Sequence, residues 1–172
     1  LAEHGVRHLV LAGRSGANTS EAVHAVKRLE AAGVQVSAVA CDVSDPHALG
    51  VVLEDIHRSM PPLRGILHAA AVIDDALGRN TSLAQISATF APKVKGAVNL
   101  HLMTRHLALD YFILYSSATT LFGNPGQASY VAANAALESL AAVRRARGLP
   151  ATCIAWGAIG DAGFLTRHPE IK

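Results

Sequence analysis

The sequence predicts one α/β domain built on a parallel β-sheet with helices on both faces. Short apolar runs alternate with longer amphipathic segments along the 172 residues, which is the order that right-handed βαβ crossovers require. Apolar residues make up 51% of the chain and charged residues only 16%, as expected for a sheet that is buried on both faces. The length suits a single domain of ordinary size.

Composition and charge argue against several classes of function. The net charge is only +2 and the basic residues are scattered, which argues against nucleic acid as a partner. No apolar run is long enough to span a bilayer and no signal peptide is visible, so we expect a soluble, cytoplasmic protein. Cys41 and Cys153 each fall in an apolar run and are interpreted as reduced core residues. The nine His residues lack ligand spacing, and no metal is predicted.

Five strands are predicted from short apolar runs. They cover residues 8–12, 35–41, 65–71, 111–115 and 151–156. Residues 1–5 before them are typical of the tail of a helix that ends at Gly5. Residues 157–172 carry Gly157, Gly160 and Gly163 and little periodicity. We expect a loop there that leads to a lid.

Capping and stop signals define the helices between these strands. Thr19 or Ser20 caps the first helix, and Gly33 stops it. The second starts at Ser44, Asp45 and Pro46, with proline near the first turn. The third is a long helix with apolar residues at a period near 3.6, namely Ile86, Phe90, Val94 and Ala97. Its centre holds Pro92, which removes a backbone hydrogen bond and bends the helix. The last helix covers residues 127–145.

The stretch from Ser116 to Asn134 carries the candidate catalytic groups. Tyr130 and Asn134 are four residues apart and therefore share one helix face. Ser117 lies where its strand ends, the edge at which open α/β sheets collect active groups. A hydroxyl, a phenol and a carboxamide at that edge suggest proton donation to a carbonyl oxygen. The alternative is a serine-capped loop followed by a helix with a buried, hydrogen-bonded tyrosine.

Six segments carry a family resemblance. They are HLVLAGRSG, CDVSD, GILHAAAVIDDA, PKVKGAVNL, YFILYSSATTLFGNPGQASYVAANAALESLA and AWGAIGDAG. In order and spacing the chain resembles a short-chain dehydrogenase/reductase, and more narrowly the ketoreductase domain of a modular (type I) polyketide synthase. Many short-chain reductases carry Tyr-x-x-x-Lys with an Asn on the preceding helix, whereas polyketide ketoreductases exchange the two, as Lys93 and Asn134 do here. The resemblance implies a Rossmann-like, doubly wound parallel sheet.

The resemblance implies a role for each member of a catalytic set. Tyr130 matches the proton donor, Ser117 the hydroxyl that binds the carbonyl, and Lys93 and Asn134 the supporting pair. A phenol ordinarily ionises near pH 10, so a nearby cation such as Lys93 would assist proton transfer while it also holds the cofactor ribose. Lys95 is interpreted as a solvated charge on another face of the helix.

The cofactor implied is NADPH. Arg14, followed by Ser15, stands where an NAD-specific protein would place an acid, and a cation suits the 2′-phosphate. The alternative is a solvated turn arginine. Asp42 and Val43 match the adenine contacts of the family, and the resemblance implies that Lys93 and Tyr130 also contact the cofactor. The small residues over which the cofactor passes match Ala69, Ala70 and Ala71, although the family usually has Gly at position 71.

The glycine-rich turn that receives a pyrophosphate on helix amides is absent from the sequence. In the doubly wound order 3-2-1-4-5-6 the missing first strand is central, so the sheet is expected to be split. We therefore expect residues 1–172 to be a partial catalytic domain of a longer polypeptide. Upstream residues would supply the first strand and the phosphate loop. Residues 157–172 would start a substrate lid, with the final strand downstream.

The resemblance also implies a substrate and its orientation. The substrate would be a β-ketoacyl thioester on an acyl carrier protein, delivered among neighbouring domains of the same polypeptide. One ketoreductase class carries Leu-Asp-Asp after the fourth strand and yields the D-hydroxyl; this chain has Ile73-Asp74-Asp75 there. The other class carries Trp eight residues before the tyrosine, where this chain has Phe122. Pro125 also resembles the D-producing class. We expect Asp75 to orient the substrate, although both acids could be solvated loop residues.

Two other functions remain open at this stage. One is a stand-alone short-chain reductase for a free ketone or alcohol, which the exchanged Lys93 and Asn134 and the absent ends of the domain disfavour. The other is a non-catalytic module that only shapes its neighbours. The intact set of four candidate catalytic residues argues against that second function.

Overall fold

Strands and helices alternate along residues 1–157, the part of the chain that the computed structural model describes. The strands are β1 (His8–Gly13), β2 (Gln35–Ala40), β3 (Gly65–His68), β4 (Tyr111–Ser117) and β5 (Thr152–Trp156). The helices are α1 (Ser20–Ala31), α2 (Pro46–Ser59), α3 (Leu83–Phe90), α4 (Gly96–Thr104), α5 (Thr119–Phe122) and α6 (Ala128–Ala146). Every strand pair is parallel, which confirms the predicted fold class. The predicted lid lies outside the described residues from position 158 onwards.

The strands form two sheets, as the predicted strand order requires. β1 pairs with β2, and β3, β4 and β5 form a second sheet in that order. No ladder joins β1 to β3 within residues 1–157. The expected split of the sheet is therefore confirmed. All five strands run parallel to their partners, so the carboxyl ends of β3, β4 and β5 lie at one edge of their sheet.

Local sequence signals account for the starts of α1, α2 and α3. The Thr19 side chain accepts a hydrogen bond from the Ala22 amide at 3.2 Å, so Thr19 rather than Ser20 is the cap of α1. Asp45 caps α2 by accepting from two amides. Ser82 and Gln85 form a reciprocal capping box at the start of α3, which satisfies amides that a helix leaves unpaired.

The predicted long helix is present in three parts. Between α3 and α4 the chain forms a π-helical turn, Ala91–Lys95, that contains Pro92. Proline has no amide proton to give to the helix, and the wider turn is the local solution to that loss. His68 at the end of β3 fixes the turn by donating from Nε2 to the Lys93 carbonyl at 2.8 Å. A side chain at Gly96 would come within 2.6 Å of Val43, so only glycine allows this close approach.

The main core lies between α4, α6 and the three-stranded sheet. Phe112 and Leu114 of β4 are fully buried and lie in one apolar cluster with Leu100 of α4 and Leu137 of α6. Burial of each large apolar side chain stabilises the fold by about 1.5–3 kcal/mol. None of the helices in residues 1–157 is long and apolar enough to cross a membrane.

Two strand ends differ from the predictions by more than one residue. β3 ends at His68, where it pairs with Leu114, so residues 69–71 belong to a loop rather than to the strand. β4 continues two residues beyond the predicted end because Ser116 and Ser117 pair with β5 on the other side. β4 therefore projects past β3 at the sheet edge and carries Ser117 with it. Helix α5, which follows directly, was not predicted.

Candidate active site

The four candidate catalytic residues come from three neighbouring elements. Ser117 is the last residue of β4. Tyr130 lies in the first turn of α6, and Asn134 follows one turn later. Lys93 lies in the π-helical turn between α3 and α4. The structure thus places the end of a strand, the start of a helix and an irregular helical turn around one edge of the three-stranded sheet.

Lys93 links the other elements to one another. Its side chain is buried, with 2% of its surface exposed. Its Nζ donates to the Tyr115 carbonyl of β4 at 2.9 Å and lies 5.2 Å from the centroid of the Tyr130 ring. Burial lowers the pKa of Lys93 from 10.5 to about 8. The ammonium is therefore mostly retained at neutral pH, where it provides a positive charge beside the phenol.

Asn134 has one satisfied and one unsatisfied polar atom. Its Nδ2 donates to the Tyr130 carbonyl at 2.9 Å, so the carboxamide is turned back along the helix toward the first turn. Its Oδ1 is buried without a hydrogen-bond partner among the described residues. An unpaired buried acceptor costs about 1–3 kcal/mol. A donor from a water or a bound molecule would relieve that cost.

The Ser117 hydroxyl is oriented by its own turn. Its Oγ accepts a hydrogen bond from the Thr119 hydroxyl at 3.0 Å and a longer one from the Thr119 amide at 3.3 Å. With both contacts directed to the oxygen, the Ser117 proton remains available for another acceptor. This arrangement suits donation to a carbonyl oxygen.

The candidate cofactor residues lie where β1 and β2 end. Arg14 and Ser15 directly follow β1 and are exposed. Hydrogen bonds from Ser44 lower the pKa of Asp42, and the charges of Arg14 and Lys95 lower it further. The structure therefore brings Arg14 close enough to Asp42 for their charges to interact. Lys95 itself is exposed, consistent with a solvated charge.

The remaining cofactor candidates border the second sheet. The Val43 carbonyl accepts from Asn99 Nδ2 of α4 at 3.0 Å, which fixes the chain just after Asp42. Ala69 and Ala71 are exposed and Ala70 is half-buried in the loop after β3. Small side chains there leave the sheet edge open.

The acidic loop after β3 is bound to the turn that precedes α6. The Asp75 carboxylate accepts from Gln127 Nε2 at 2.8 Å, and the Ala76 amide donates to the Gly126 carbonyl at 2.9 Å. Asp74 instead accepts from Gln85 of α3 at 3.1 Å. The two acids therefore have different partners, and Asp75 is tied to the residue that starts the helix of Tyr130.

Phe122 and Pro125 lie on the connection between α5 and α6. Phe122 is the last residue of α5 and 75% exposed, and Pro125 is also exposed. Gly123 between them has a φ of 73°, a conformation that strongly favours glycine. Both side chains are therefore presented outward rather than packed in the core.

Several residues that build this site were missed in the sequence. His68, Thr119, Gln127 and Glu138 all hold a candidate residue or its neighbours by hydrogen bonds. Glu138 could have been found, because it lies eight residues after Tyr130 and four after Asn134 and so extends their row on the helix. For the others, no spacing rule connects a loop side chain to a distant turn.

The chain matches a family model described as "KR domain" over residues 1–161. It is 42% identical over 174 residues to the reducing polyketide synthase PKS1 of Cochliobolus heterostrophus, which covers 100% of this chain and 7% of that protein. It is 43% identical over 166 residues to the mycoketide-CoA synthase of Mycobacterium tuberculosis, which covers 96% of this chain and 4% of that protein. The chain thus spans less than a tenth of the length of these two relatives.

Solved ketoreductase structures are similar over nearly the whole chain. One, of A-type ketoreductases from a modular polyketide synthase, has a TM-score of 0.92 and 40% sequence identity, and covers 99% of this chain and 36% of the solved one. Another, a ketoreductase domain from the bacillaene assembly line, has a TM-score of 0.88 and 30% identity, and covers 94% of this chain and 40% of the solved one.

Proposed function

The chain belongs to the KR (ketoreductase) domain family of polyketide synthases, and from that premise we propose that it reduces a β-ketoacyl thioester to a β-hydroxyacyl thioester with NADPH. The observation that carries the proposal is the position of Lys93. Its buried ammonium lies 5.2 Å from the ring centroid of Tyr130 and is bonded to the strand that ends in Ser117. A cation, a phenol and a hydroxyl with an available proton are the groups that ketone reduction needs.

Each residue has a defined task in the proposed reaction. Ser117 donates a hydrogen bond to the ketone oxygen, without giving up its proton, and stabilises the negative charge that develops there. Tyr130 transfers a proton to the same oxygen, which makes it the general acid. Lys93 favours the phenolate that remains, because an adjacent positive charge stabilises an anion. The unpaired Oδ1 of Asn134 accepts a hydrogen bond from a water molecule, and that water returns a proton to Tyr130. Bound NADPH supplies the hydride.

The residues present fit a nicotinamide dinucleotide. Arg14 offers an exposed guanidinium at the end of β1, where a 2′-phosphate would be recognised by charge-assisted hydrogen bonds. Asp42 and Val43 would border the adenine, and the small side chains at residues 69–71 would let the cofactor pass close to the backbone. Ser15 would add a hydroxyl beside the phosphate. Lys93 and Tyr130 would hold the ribose next to the nicotinamide.

The substrate in this proposal is attached to an acyl carrier protein, with the other partners on the same polypeptide. The much greater length of the related synthases supports this setting. A cytoplasmic location fits it, since Cys41 and Cys153 are free thiols. We also propose a D-configured alcohol. Asp75 supports it, because its bond to Gln127 ties the acidic loop to the start of the helix that carries Tyr130, and Phe122 and Pro125 lie exposed on the connection that leads to Gln127.

Tyr130→Phe tests the proposed function, because it keeps the ring and removes the acidic proton. In the full-length protein, turnover of a β-ketoacyl thioester should fall by at least about a hundredfold, as expected for a positioned general acid. Tyr111→Phe is the matched control, since Tyr111 lies at the opposite end of β4. NADPH oxidation followed by absorbance gives the rate.

Normal turnover in Tyr130→Phe would refute the catalytic assignment. A wild-type protein that reduces free ketones as fast as the matching thioesters would favour the stand-alone reductase instead. A wild-type protein that binds NADPH without reducing either substrate would favour the non-catalytic module.

A further inference from the structure

Glu138 lies on helix α6, on the C-terminal side of the candidate catalytic residues Tyr130 and Asn134. It follows Asn134 by four residues and Tyr130 by eight, so the three side chains occupy successive turns on one side of the helix. Eight residues of α-helix span roughly 12 Å. Glu138 is therefore too far along the helix to reach a substrate that contacts Tyr130. Its side chain is half-buried and is directed to β4 and α5 by its hydrogen bonds.

Both partners of Glu138 flank Ser117. The Oε1 atom accepts from the Ser116 hydroxyl at 2.7 Å and from the Thr120 hydroxyl at 2.9 Å. Ser116 directly precedes Ser117 and is buried, with 4% of its surface exposed. Thr120 lies three residues after Ser117, in the short helix α5. One carboxylate oxygen therefore holds the turn that carries Ser117 from both sides.

The negative charge on Glu138 makes these bonds stronger than ordinary hydroxyl contacts. Thr120 Oγ1 also lies 3.0 Å from the Ser117 carbonyl, but its single proton can serve only one acceptor at a time. A carboxylate is the stronger acceptor. No Lys or Arg forms an ion pair with Glu138 among the described residues. The hydroxyls of Ser116 and Thr120 are thus its principal partners.

The negative charge of Glu138 also acts on the nearby thiol of Cys153. Burial is the main reason that the pKa of the Cys153 thiol is raised, and the negative charge of Glu138 raises it further. Lys93 and Arg145 act on the thiol in the opposite direction. The Glu138 carboxylate is therefore close enough to Cys153 for its charge to act on the thiol.

We propose that Glu138 is a positioning residue for the reduction, acting through a clamp that consists of Ser116, Thr120 and Glu138. The clamp fixes the turn of Ser117 to the helix of Tyr130, so that the Ser117 hydroxyl and the Tyr130 phenol both donate to one carbonyl oxygen. This inference rests on the proposed function. Displacement of a reacting group by about 1 Å can cost a hundredfold in rate, so the clamp acts on turnover. Its loss leaves the cofactor site near Arg14 and Asp42 unchanged.

Thr120→Val tests the clamp with the least disturbance, since it exchanges a hydroxyl for a methyl group of similar size. In the full-length protein, kcat should fall about tenfold, with the NADPH dissociation constant and the denaturant midpoint of unfolding unchanged. Thr120→Ser restores the hydroxyl and should restore kcat. Glu138→Ala should lower kcat by up to about a hundredfold. Adding Thr120→Val to Glu138→Ala should cause no further loss, because both changes break the same contact.

Ser139→Ala is the matched control for the loss of a hydroxyl group. Ser139 follows Glu138 on the exposed side of α6, and within residues 1–157 its hydroxyl bonds only to the Ala135 carbonyl of its own helix, so kcat should not change. Wild-type kcat in both Thr120→Val and Glu138→Ala would overturn the clamp, and if Tyr130→Phe is inactive in the same assay the proposed function still stands. Equal losses of kcat, cofactor affinity and stability, without rescue by Thr120→Ser, would also overturn it. An active Tyr130→Phe would instead show that the proposed function has failed.

Discussion

Lys93→Met removes the buried ammonium and keeps a side chain of similar length. Burial has lowered the pKa of Lys93 from 10.5 to about 8, so at neutral pH the folded state bears a cost of about 3 kcal/mol for the charge. Methionine removes that cost. It also leaves the Tyr115 carbonyl without its donor, at a cost of about 1–3 kcal/mol. We therefore expect the free energy of unfolding to stay level or rise by up to about 2 kcal/mol.

Activity should respond in the opposite direction. Without a cation beside Tyr130, turnover should fall by at least about a hundredfold, the usual contribution of a tuned acid. A variant that is as stable as the wild type and much less active would show that Lys93 is retained for chemistry. Lys95→Met is the matched control, since Lys95 is the exposed last residue of the same turn.

The pH dependence of the wild type separates the two effects. The folded-state pKa of Lys93, about 8, lies below its ordinary value of 10.5, so the unfolded chain binds the proton more tightly. Above the unfolded-state pKa of 10.5, Lys93 is neutral in both states and the fold is free of the cost of the buried charge. That cost returns, and the protein loses stability, as the pH falls toward 8. Between these two values the free energy of unfolding should rise with pH, while activity falls as the ammonium is lost.

Denaturant unfolding and NADPH oxidation, measured on the full-length protein at about pH 7 and about pH 10, provide the test. Between these two pH values the free energy of unfolding should rise less in Lys93→Met than in the wild type, because the variant has no buried ammonium to deprotonate. Destabilisation by several kcal/mol at neutral pH would refute the reasoning. So would a variant that keeps the activity of the wild type and its decline at alkaline pH.

Two further predictions concern the cofactor and the product. Arg14→Asp should weaken NADPH binding by far more than NADH binding, because it replaces a charge-assisted phosphate contact with repulsion; equal losses for the two cofactors in titrations would show that Arg14 does not bind the phosphate. Chiral chromatography of the reduced thioester should show a D-hydroxy product, and Asp75→Asn should lower its enantiomeric excess by weakening the bond to Gln127. A predominantly L-hydroxy product from the wild type would refute the class assignment and leave ketoreduction intact.

Where local chemistry decides the structure, the sequence predicted the fold well. Asp45 and Gly33 mark helix ends because capping and positive φ depend on the residue itself. Pro92 predicted an irregular helix, but its absent amide proton does not reveal that the chain would form a π-helical turn. The end of β3 was predicted three residues too late, since that boundary depends on where the neighbouring strands diverge.

The candidate site was predicted only in part for a similar reason. The family resemblance identified Ser117, Tyr130, Lys93 and Asn134, and the structure brings the buried Lys93 amine beside the Tyr130 ring. The contacts between Glu138 and Ser116 and between Asp75 and Gln127 span 22 and 52 residues of sequence. Pairs so distant in the chain are set by tertiary packing, which no periodicity encodes.

The π-helical turn makes the position of Lys93 sensitive to chain length. A π turn accommodates one residue more than the α-helix into which it is inserted, and each α-helical residue corresponds to a rotation of roughly 100°. Deleting one residue from Ala91–Lys95 would allow α3 and α4 to join as one regular helix. The two halves would then rotate relative to each other, and the Lys93 amine would leave the Tyr130 ring. Conservation of length across this turn should therefore matter as much as conservation of the lysine.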